Sequence, residues 1–261
     1  MRRTDLKVGI YEFTGCAGDA LTILHSEDDL VDFFTVVNVS SFLMAKRDNV
    51  EEKLDVALIE GSITTEEQKE KLLEIASRSK KVFAIGICAC FGGIQAMNLG
   101  LGGWEERFKK TYGQDKIPVG KAFESRPIDD FVKVDGYIPG CPIDAQQFFH
   151  AFTRIINGNN PELYGFPVCM ECKWKENQCL LVKNLPCLGP LTAAGCGGAC
   201  PTYNIPCVGC WGPYEDANLL AQYHLLLEKG FKAEDIKGRV RSFGGKRIVE
   251  YLKQLEEIRQ R

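Results

Sequence analysis

Short apolar runs alternate with amphipathic segments through the first 155 residues of the chain. The runs at 8–13, 55–59 and 81–87 are apolar and β-branched, and the run at 33–39 adds aromatic residues, which predicts four strands. Helical signals begin near Gly18 and cover 64–78 and 144–156. Strands that alternate with helices are typical of a parallel sheet covered on both faces, so the pattern predicts an α/β fold.

Three cysteines, Cys16, Cys88 and Cys141, each follow a strand-like run within a few residues, the last of them after a short run at 137–138. In open α/β sheets, functional sites lie beyond the carboxyl ends of the strands. We therefore expect these three cysteines to meet at one edge of the sheet. Thiols that meet in this way predict a metal site.

The character of the sequence changes after residues 157–161. Glycine, proline and cysteine dominate from about 162 to 213, and helical patterns return over 215–229 and 248–261. Loops that bind metal need little regular structure, because the metal bonds fix the chain. We predict a parallel-sheet domain over residues 1–160 and a loop-rich cluster-binding domain, closed by helices, over 161–261. The glycine-rich run at 99–103 lacks the Lys-Ser/Thr of a phosphate-binding loop.

Eight of the twelve cysteines lie within residues 169–210. In chain order they form two sets of four, which are Cys169, Cys172, Cys179 and Cys187, followed by Cys196, Cys200, Cys207 and Cys210. A four-iron cubane takes one external ligand at each iron, so four thiolates at short spacings suit it. Four thiolates also suit structural zinc, and the spacing alone leaves both metals open.

The charge and hydropathy of the sequence give no sign of a nucleic-acid-binding or membrane-spanning protein. The net charge is −3, from 32 basic and 35 acidic residues, which gives no nucleic-acid footprint. No run approaches the roughly 18 apolar residues that a membrane span requires. No signal-peptide pattern follows Arg2 and Arg3, so we expect a cytoplasmic protein. Cysteine clusters in that compartment bind metal more often than they form disulfides.

Six short motifs carry a resemblance to a known family. They are TGCAGD at 14–19, EGS at 60–62, GICACFGG at 86–93, PGCP at 139–142, PCLGP at 186–190 and PCVGC at 206–210. Together, and in this order, they resemble the small subunit of a cytoplasmic nickel–iron hydrogenase of the sulfhydrogenase delta type. The motifs span residues 14–210, which is most of the chain.

The resemblance implies a flavodoxin-like first domain whose proximal cluster faces a nickel–iron site on a separate large subunit. It also implies that Cys196, Cys200, Cys207 and Cys210 hold a medial cluster, and that Cys169, Cys172, Cys179 and Cys187 hold a distal one. With cysteine at every one of these positions, three four-iron clusters are expected. The chain itself would carry no catalytic residue. It would pass electrons between the large subunit and flavin- and iron–sulfur-containing subunits that handle NAD(P).

Two residues are candidates for the fourth ligand of the proximal cluster, because the family usually begins this site with Cys-x2-Cys and this chain has Asp19 at the second position. The same pattern resembles deazaflavin-reducing hydrogenases, in which the aspartate ligates iron, so Asp19 is the predicted ligand beside Cys16, Cys88 and Cys141. Cys90 is the rival, because side chains two residues apart on a strand share a face.

Two other functions are consistent with parts of the sequence. A quinone-reductase-type small subunit would share the proximal site, but such subunits as a rule lack the eight further cysteines. A zinc-stabilised scaffold without a redox role would use the same thiolates. Visible absorption that dithionite bleaches would distinguish iron–sulfur clusters from zinc.

Overall fold

The computed structural model describes residues 5–100, 102–114, 121–161 and 165–259. The strands are β1 (Lys7–Glu12), β2 (Asn38–Phe42), β3 (Leu54–Glu60), β4 (Ile63–Thr65), β5 (Ser79–Ile85), β6 (Ala122–Arg126) and β7 (Gly136–Ile138). The helices of the same part of the chain are α1 (Gly18–Leu24), α2 (Glu27–Val36), α3 (Glu66–Ser77), α4 (Gly86–Phe91), α5 (Trp104–Tyr112) and α6 (Ala145–Ile156).

Among the described residues, β1, β2, β3, β5 and β7 form a parallel sheet in the order β2-β1-β3-β5-β7. Numbered by chain order among these parallel strands, this is 2-1-3-4-5, the flavodoxin-like order. The central strand β3 is buried along almost its whole length, because helices cover both faces of the sheet. The predicted α/β fold with a parallel sheet is therefore confirmed.

Two apolar cores lie on the two faces of this sheet. On one face, Ile10 and Leu58 pack with Phe33 of α2 and Phe148 of α6. On the other face, Ile59 packs with residues of α3 and α4. The helices α2, α3, α4 and α6 therefore cover the sheet with apolar sides, and the candidate proximal ligands lie beyond the carboxyl ends of the strands.

The strand predicted over 33–39 is wrong in its first part. Phe33 lies in α2, and the strand β2 begins only at Asn38. The aromatic and β-branched residues indicated a strand, but a helix places Leu30 and Phe33 on one face, where they join the same core. The rings of Phe33 and Phe152 pack with their centroids 4.7 Å apart.

Loops and short helices make up much of the second part of the chain. The helices here are α7 (Val168–Trp174), α8 (Ala199–Thr202), α9 (Leu219–Glu228) and α10 (Ala233–Arg259), which is interrupted at Gly245. The predicted closing helices correspond to α9 and to the end of α10, apart from residues 260–261, which lie outside the described part, as does residue 101 of the glycine-rich run. A search of the described residues finds no helix with the length and apolar character of a membrane span.

Candidate metal centres

The three dispersed cysteines come together at the carboxyl edge of the sheet. Cys16 lies in the loop between β1 and α1, Cys88 lies in α4 after β5, and Cys141 follows β7. The pKa of the Cys88 thiol is raised to about 12, first by burial and then by the nearby Asp19, Cys141 and Cys16. A Cβ atom on Gly18 would lie 3.1 Å from the Cys16 sulfur and 3.5 Å from Pro142, the residue after Cys141, so the loops of Cys16 and Cys141 meet here.

Asp19 is buried in this site, with only 6% of the residue exposed. Its Oδ1 accepts a hydrogen bond of 2.8 Å from the backbone N–H of Ile143, two residues after Cys141. Burial raises the pKa of Asp19 to about 6, although the bond from Ile143 opposes the shift. The Asp19 carboxylate also fills the space beside Gly86, where φ is +75° and a Cβ atom would overlap it. Only glycine is compatible with this approach.

Cys90 points away from the proximal site. The strand β5 ends at Ile85 and Cys88 and Cys90 lie in α4, so the strand geometry on which the rivalry rested is wrong. Residues two apart on a helix lie about 200° apart around its axis. The Cys90 thiol donates to the carbonyl oxygen of Ala84 at 3.6 Å and packs in the core on the second face of the sheet. Burial raises its pKa well above the usual range.

Glu60 fixes the first turn of α1, which carries Asp19 and follows Cys16. It stands at the end of β3, almost fully buried, and its Oε2 accepts a hydrogen bond of 2.8 Å from the backbone N–H of Ala20. Its Oε1 lies 3.4 Å from the backbone nitrogen of Asp19. Burial, followed by the charge of Asp19, raises the pKa of Glu60 to about 7. Sequence reasoning quoted Glu60 as part of a motif but gave it no role.

The first C-terminal set of cysteines surrounds one cavity. Cys169, Cys172, Cys179 and Cys187 all line a space of about 450 Å³ that is partly open to solvent and otherwise mainly apolar. Burial, followed by the charges of Cys187, Cys172 and Cys179, raises the pKa of Cys169 to about 12. A Cβ atom on Gly189 would come within 3.1 Å of the Cys169 sulfur, so the absence of a side chain there keeps the cavity free.

The second C-terminal set lies next to the first. Burial raises the pKa of Cys210 to about 12, and the next contributions come from Cys207, Cys196 and Cys200. These are the three other members of its set. The backbone N–H of Cys207 donates to the Cys187 sulfur at 3.3 Å, so the two sets touch at this point.

The second set also faces the proximal site. Gly212, two residues after Cys210, lies so close to α4 that a Cβ atom on it would overlap the ring of Phe91. Trp211, directly after Cys210, donates a hydrogen bond of 3.1 Å from its Nε1 to Oε1 of Gln147 on α6. The three groups of ligands therefore follow one another in space in the order proximal, second C-terminal set, first C-terminal set.

Each C-terminal set offers four soft thiolates, the donor type of an iron–sulfur cluster and of structural zinc. Among the described residues, no three Cys, His, Asp or Glu side chains converge closely enough to hold one metal ion. A four-iron cubane takes its four thiolates at four separate irons, so its ligands stand farther apart than those of one zinc ion. The soft donors and, at the first set, the mainly apolar cavity fit such a cluster.

Comparisons with known proteins connect these sites to a family. The family model described as "NADH ubiquinone oxidoreductase, 20 Kd subunit" matches residues 16–155. Sulfhydrogenase 2 subunit delta of Pyrococcus furiosus is 38% identical over 239 residues, which cover 91% of this chain and 99% of the relative. The chain belongs to the family of nickel–iron hydrogenase small subunits. The match over 16–155 stops before the eight C-terminal cysteines, whereas the similarity to the hydrogenase subunit continues through them.

Solved structures of hydrogenases share the fold of this small subunit. The actinobacterial-type NiFe-hydrogenase from Ralstonia eutropha H16 contains a chain with a TM-score of 0.59 and 16% identity, and the similarity covers 99% of this chain and 91% of that one. An NAD+-reducing NiFe-hydrogenase in its H2-reduced state contains a chain with a TM-score of 0.53 and 23% identity, covering 62% of this chain and 96% of that one. These likenesses concern the fold.

Membership of the family establishes the general role of the chain. It is a subunit of an oxidoreductase, it pairs with a hydrogenase large subunit, and catalysis takes place on a partner chain. Its own part is electron transfer through iron–sulfur clusters to or from a nickel–iron centre.

Proposed function

We propose that this small subunit holds three four-iron clusters and relays electrons between the nickel–iron site of the large subunit and a flavin- and iron–sulfur-containing partner that handles NAD(P), in the cytoplasm. We also propose the division into a sheet domain over 1–160 and a two-cluster domain over 161–261. The observation that carries the proposal is the series of three neighbouring thiol-lined sites, in which Trp211, directly after Cys210, bonds to Gln147 of α6 and the backbone N–H of Cys207 donates to the Cys187 sulfur.

In this proposal, each cluster has its own ligands. The proximal cluster is held by Cys16, Asp19, Cys88 and Cys141, the medial cluster by Cys196, Cys200, Cys207 and Cys210, and the distal cluster by Cys169, Cys172, Cys179 and Cys187. Bound there, the clusters supply one-electron carriers. The chain's own residues hold the carriers in line, keep them in apolar surroundings and limit their contact with water, which together with hydrogen bonds to sulfur set the potentials.

The contacts of Asp19 support it as the fourth proximal ligand. It is buried beside Cys88 and Cys141, and the bond from Ile143 orients its carboxylate. The Cys90 thiol is directed into the apolar core on the other side of α4. A carboxylate is a harder donor than a thiolate, so the proximal cluster differs electronically from one with four cysteines.

The large subunit is proposed to cover the carboxyl edge of the sheet. Cys16 and Cys141 are exposed there in the isolated chain. Leu43 and Met44, which directly follow β2 at the same edge, are also exposed. Apolar side chains that rim a cluster site are expected to be buried in an extensive interface.

The NAD(P)-linked partner is supported by the likeness of the fold to that of an NAD+-reducing hydrogenase. Purification of the tagged chain from its native host under anaerobic conditions, with identification of its companion chains, tests this proposal. We expect a hydrogenase large subunit together with a flavin-containing subunit, and hydrogen-dependent reduction of NAD+ or NADP+ by the isolated complex. A complex without a flavin subunit, and without activity toward either nucleotide, would refute the assignment of this partner.

A further inference from the structure

A buried carboxylate connects the two C-terminal cysteine sets. Glu171 lies in α7 between Cys169 and Cys172, and only 6% of the residue is exposed. Its position in the sequence assigns it to the first set. Its side chain instead extends to the loop of the second set, over residues 195–198.

Three contacts hold this carboxylate. Oε1 of Glu171 accepts a hydrogen bond of 2.8 Å from the backbone N–H of Gly195. Oε2 accepts one of 3.2 Å from the backbone N–H of Gly198 and lies 3.9 Å from the Cys196 sulfur. A carboxylate offers two oxygens, and here both are directed at the loop that presents Cys196.

The loop lies directly against α7. Gly198 has φ of +62°, and a Cβ atom on it would come within 3.1 Å of the Cys172 backbone nitrogen. The loop therefore approaches the helix as closely as a glycine backbone permits. Glu171 occupies the space between the two cysteine sets, and its carboxylate closes the contact.

We propose that Glu171 is a positioning residue of the medial site and that its negative charge lowers the reduction potential of the cluster held by Cys196, Cys200, Cys207 and Cys210. The inference rests on the proposed function, since it assumes that this set holds a cluster. The inference is supported by the contact between the Glu171 carboxylate and the loop that presents Cys196.

The direction of the effect follows from electrostatics. Reduction adds a negative charge to a cluster, and a fixed negative charge nearby opposes that addition. The opposition is stronger in a buried site, where water screens less. Lys175 approaches the same loop, because its Nζ would lie 3.3 Å from a Cβ atom on Gly197, but this side chain is exposed to solvent. Screening by water leaves the buried carboxylate as the larger influence.

The test compares three variants with the wild type in the anaerobically purified complex. Glu171→Gln keeps the shape of the side chain, removes its charge and replaces one accepting oxygen with an amide donor, and Glu171→Asp keeps the charge and both acceptors on a shorter side chain. Glu176→Gln removes the same charge from an exposed position on the same segment and is the matched control. The readouts are iron content and the midpoint potential of the medial cluster in a redox titration followed by electron paramagnetic resonance. The medial signal is the one lost in Cys200→Ser.

We expect Glu171→Gln to shift the medial midpoint potential upward, several times more than Glu176→Gln does, while Glu171→Asp stays near the wild-type value. Loss of the medial signal in Glu171→Gln together with its retention in Glu171→Asp supports the positioning role, because the glutamine amide sets an N–H donor against one of the two backbone donors that the carboxylate accepts from. A shift in Glu171→Gln no larger than in the control overturns the proposal. An equal shift in Glu171→Asp, or loss of the signal in both Glu171 variants, overturns it as well.

The wild type separates this inference from the function on which it rests. If the wild-type complex lacks iron in this set, the proposed function fails. If the wild type has the cluster and the Glu171 variants give one of the refuting results, only the role of Glu171 fails and the proposed function stands.

Discussion

The carboxylate of Asp19 accepts a hydrogen bond of 2.8 Å from the backbone N–H of Ile143, a residue 124 positions later in the chain. This single contact joins the first turn of α1 to the loop after β7. It also orients Asp19 between Cys88 and Cys141, whose thiol pKa values it raises. Asp19, the proposed fourth ligand, is therefore held in place by the loop that carries Cys141.

The first prediction distinguishes Asp19 from Cys90. Asp19→Asn keeps an oxygen that can accept from Ile143 but removes the anionic ligand, so the proximal paramagnetic signal is expected to disappear or change while the fold is retained. Cys90→Ala is expected to leave that signal unchanged and to lower the free energy of unfolding by on the order of 1 kcal/mol. Electron paramagnetic resonance of the reduced complex measures the first effect, and anaerobic denaturant unfolding measures the second.

Asp19→Ala serves as a further control, because it leaves the buried N–H of Ile143 without an acceptor and adds a stability cost of about 1–3 kcal/mol. Loss of the proximal signal in Cys90→Ala alone, with the Asp19 variants unchanged, would reverse the assignment.

The second prediction concerns the grouping of the eight C-terminal cysteines. If each set holds one cluster, the double variant Cys172→Ser with Cys179→Ser damages one site and lowers the iron content by about four atoms per chain. The double variant Cys179→Ser with Cys200→Ser damages two sites and lowers it by about eight. Both variants lack two thiols, so a difference in their iron and sulfide content reports how the cysteines are grouped into clusters and not how many cysteines were removed. Equal losses in the two variants would show that the sets are grouped differently.

The third prediction concerns the contact between α6 and Trp211, the residue directly after Cys210. Trp211 is nearly buried, and its indole N–H donates to Gln147 on α6. Trp211→Phe keeps most of the packing but leaves the Gln147 oxygen without this donor, so the free energy of unfolding should fall by about 1–3 kcal/mol. The midpoint of anaerobic guanidinium unfolding measures this change.

Trp174 provides the matched control for Trp211, because it is 65% exposed. Trp174→Phe is expected to change the free energy of unfolding by no more than about 0.5 kcal/mol. A Trp211→Phe variant as stable as the Trp174→Phe variant would show that the bond to Gln147 does not stabilise the contact.

Much of the sheet could be predicted from the sequence, because buried parallel strands are continuous apolar runs. The run at 55–59 corresponds to β3, and strand-end positions correctly brought Cys16, Cys88 and Cys141 to one edge. Phe33 was misassigned because its aromatic and β-branched neighbours suit a strand as well as a buried helix. Only contacts with α6, distant in the sequence, decide between them.

The buried carboxylates could not be identified from the sequence. Glu60 accepts from the backbone of Ala20, and Glu171 accepts from the backbone of Gly195 and Gly198. Every residue except proline has a backbone N–H, so the sequence does not distinguish these acids from ordinary surface residues. The direction of the Cys90 side chain could not be predicted either, because it depends on whether the chain continues as a strand or begins a helix at Gly86.

The most direct test of the central claim is the iron and acid-labile sulfide content of the anaerobically purified chain in its complex with its partners, corrected for the metal of those partners. Three four-iron clusters predict about twelve iron and about twelve sulfide per chain, with broad visible absorption that dithionite bleaches. A colourless chain with stoichiometric zinc and no sulfide would contradict the account.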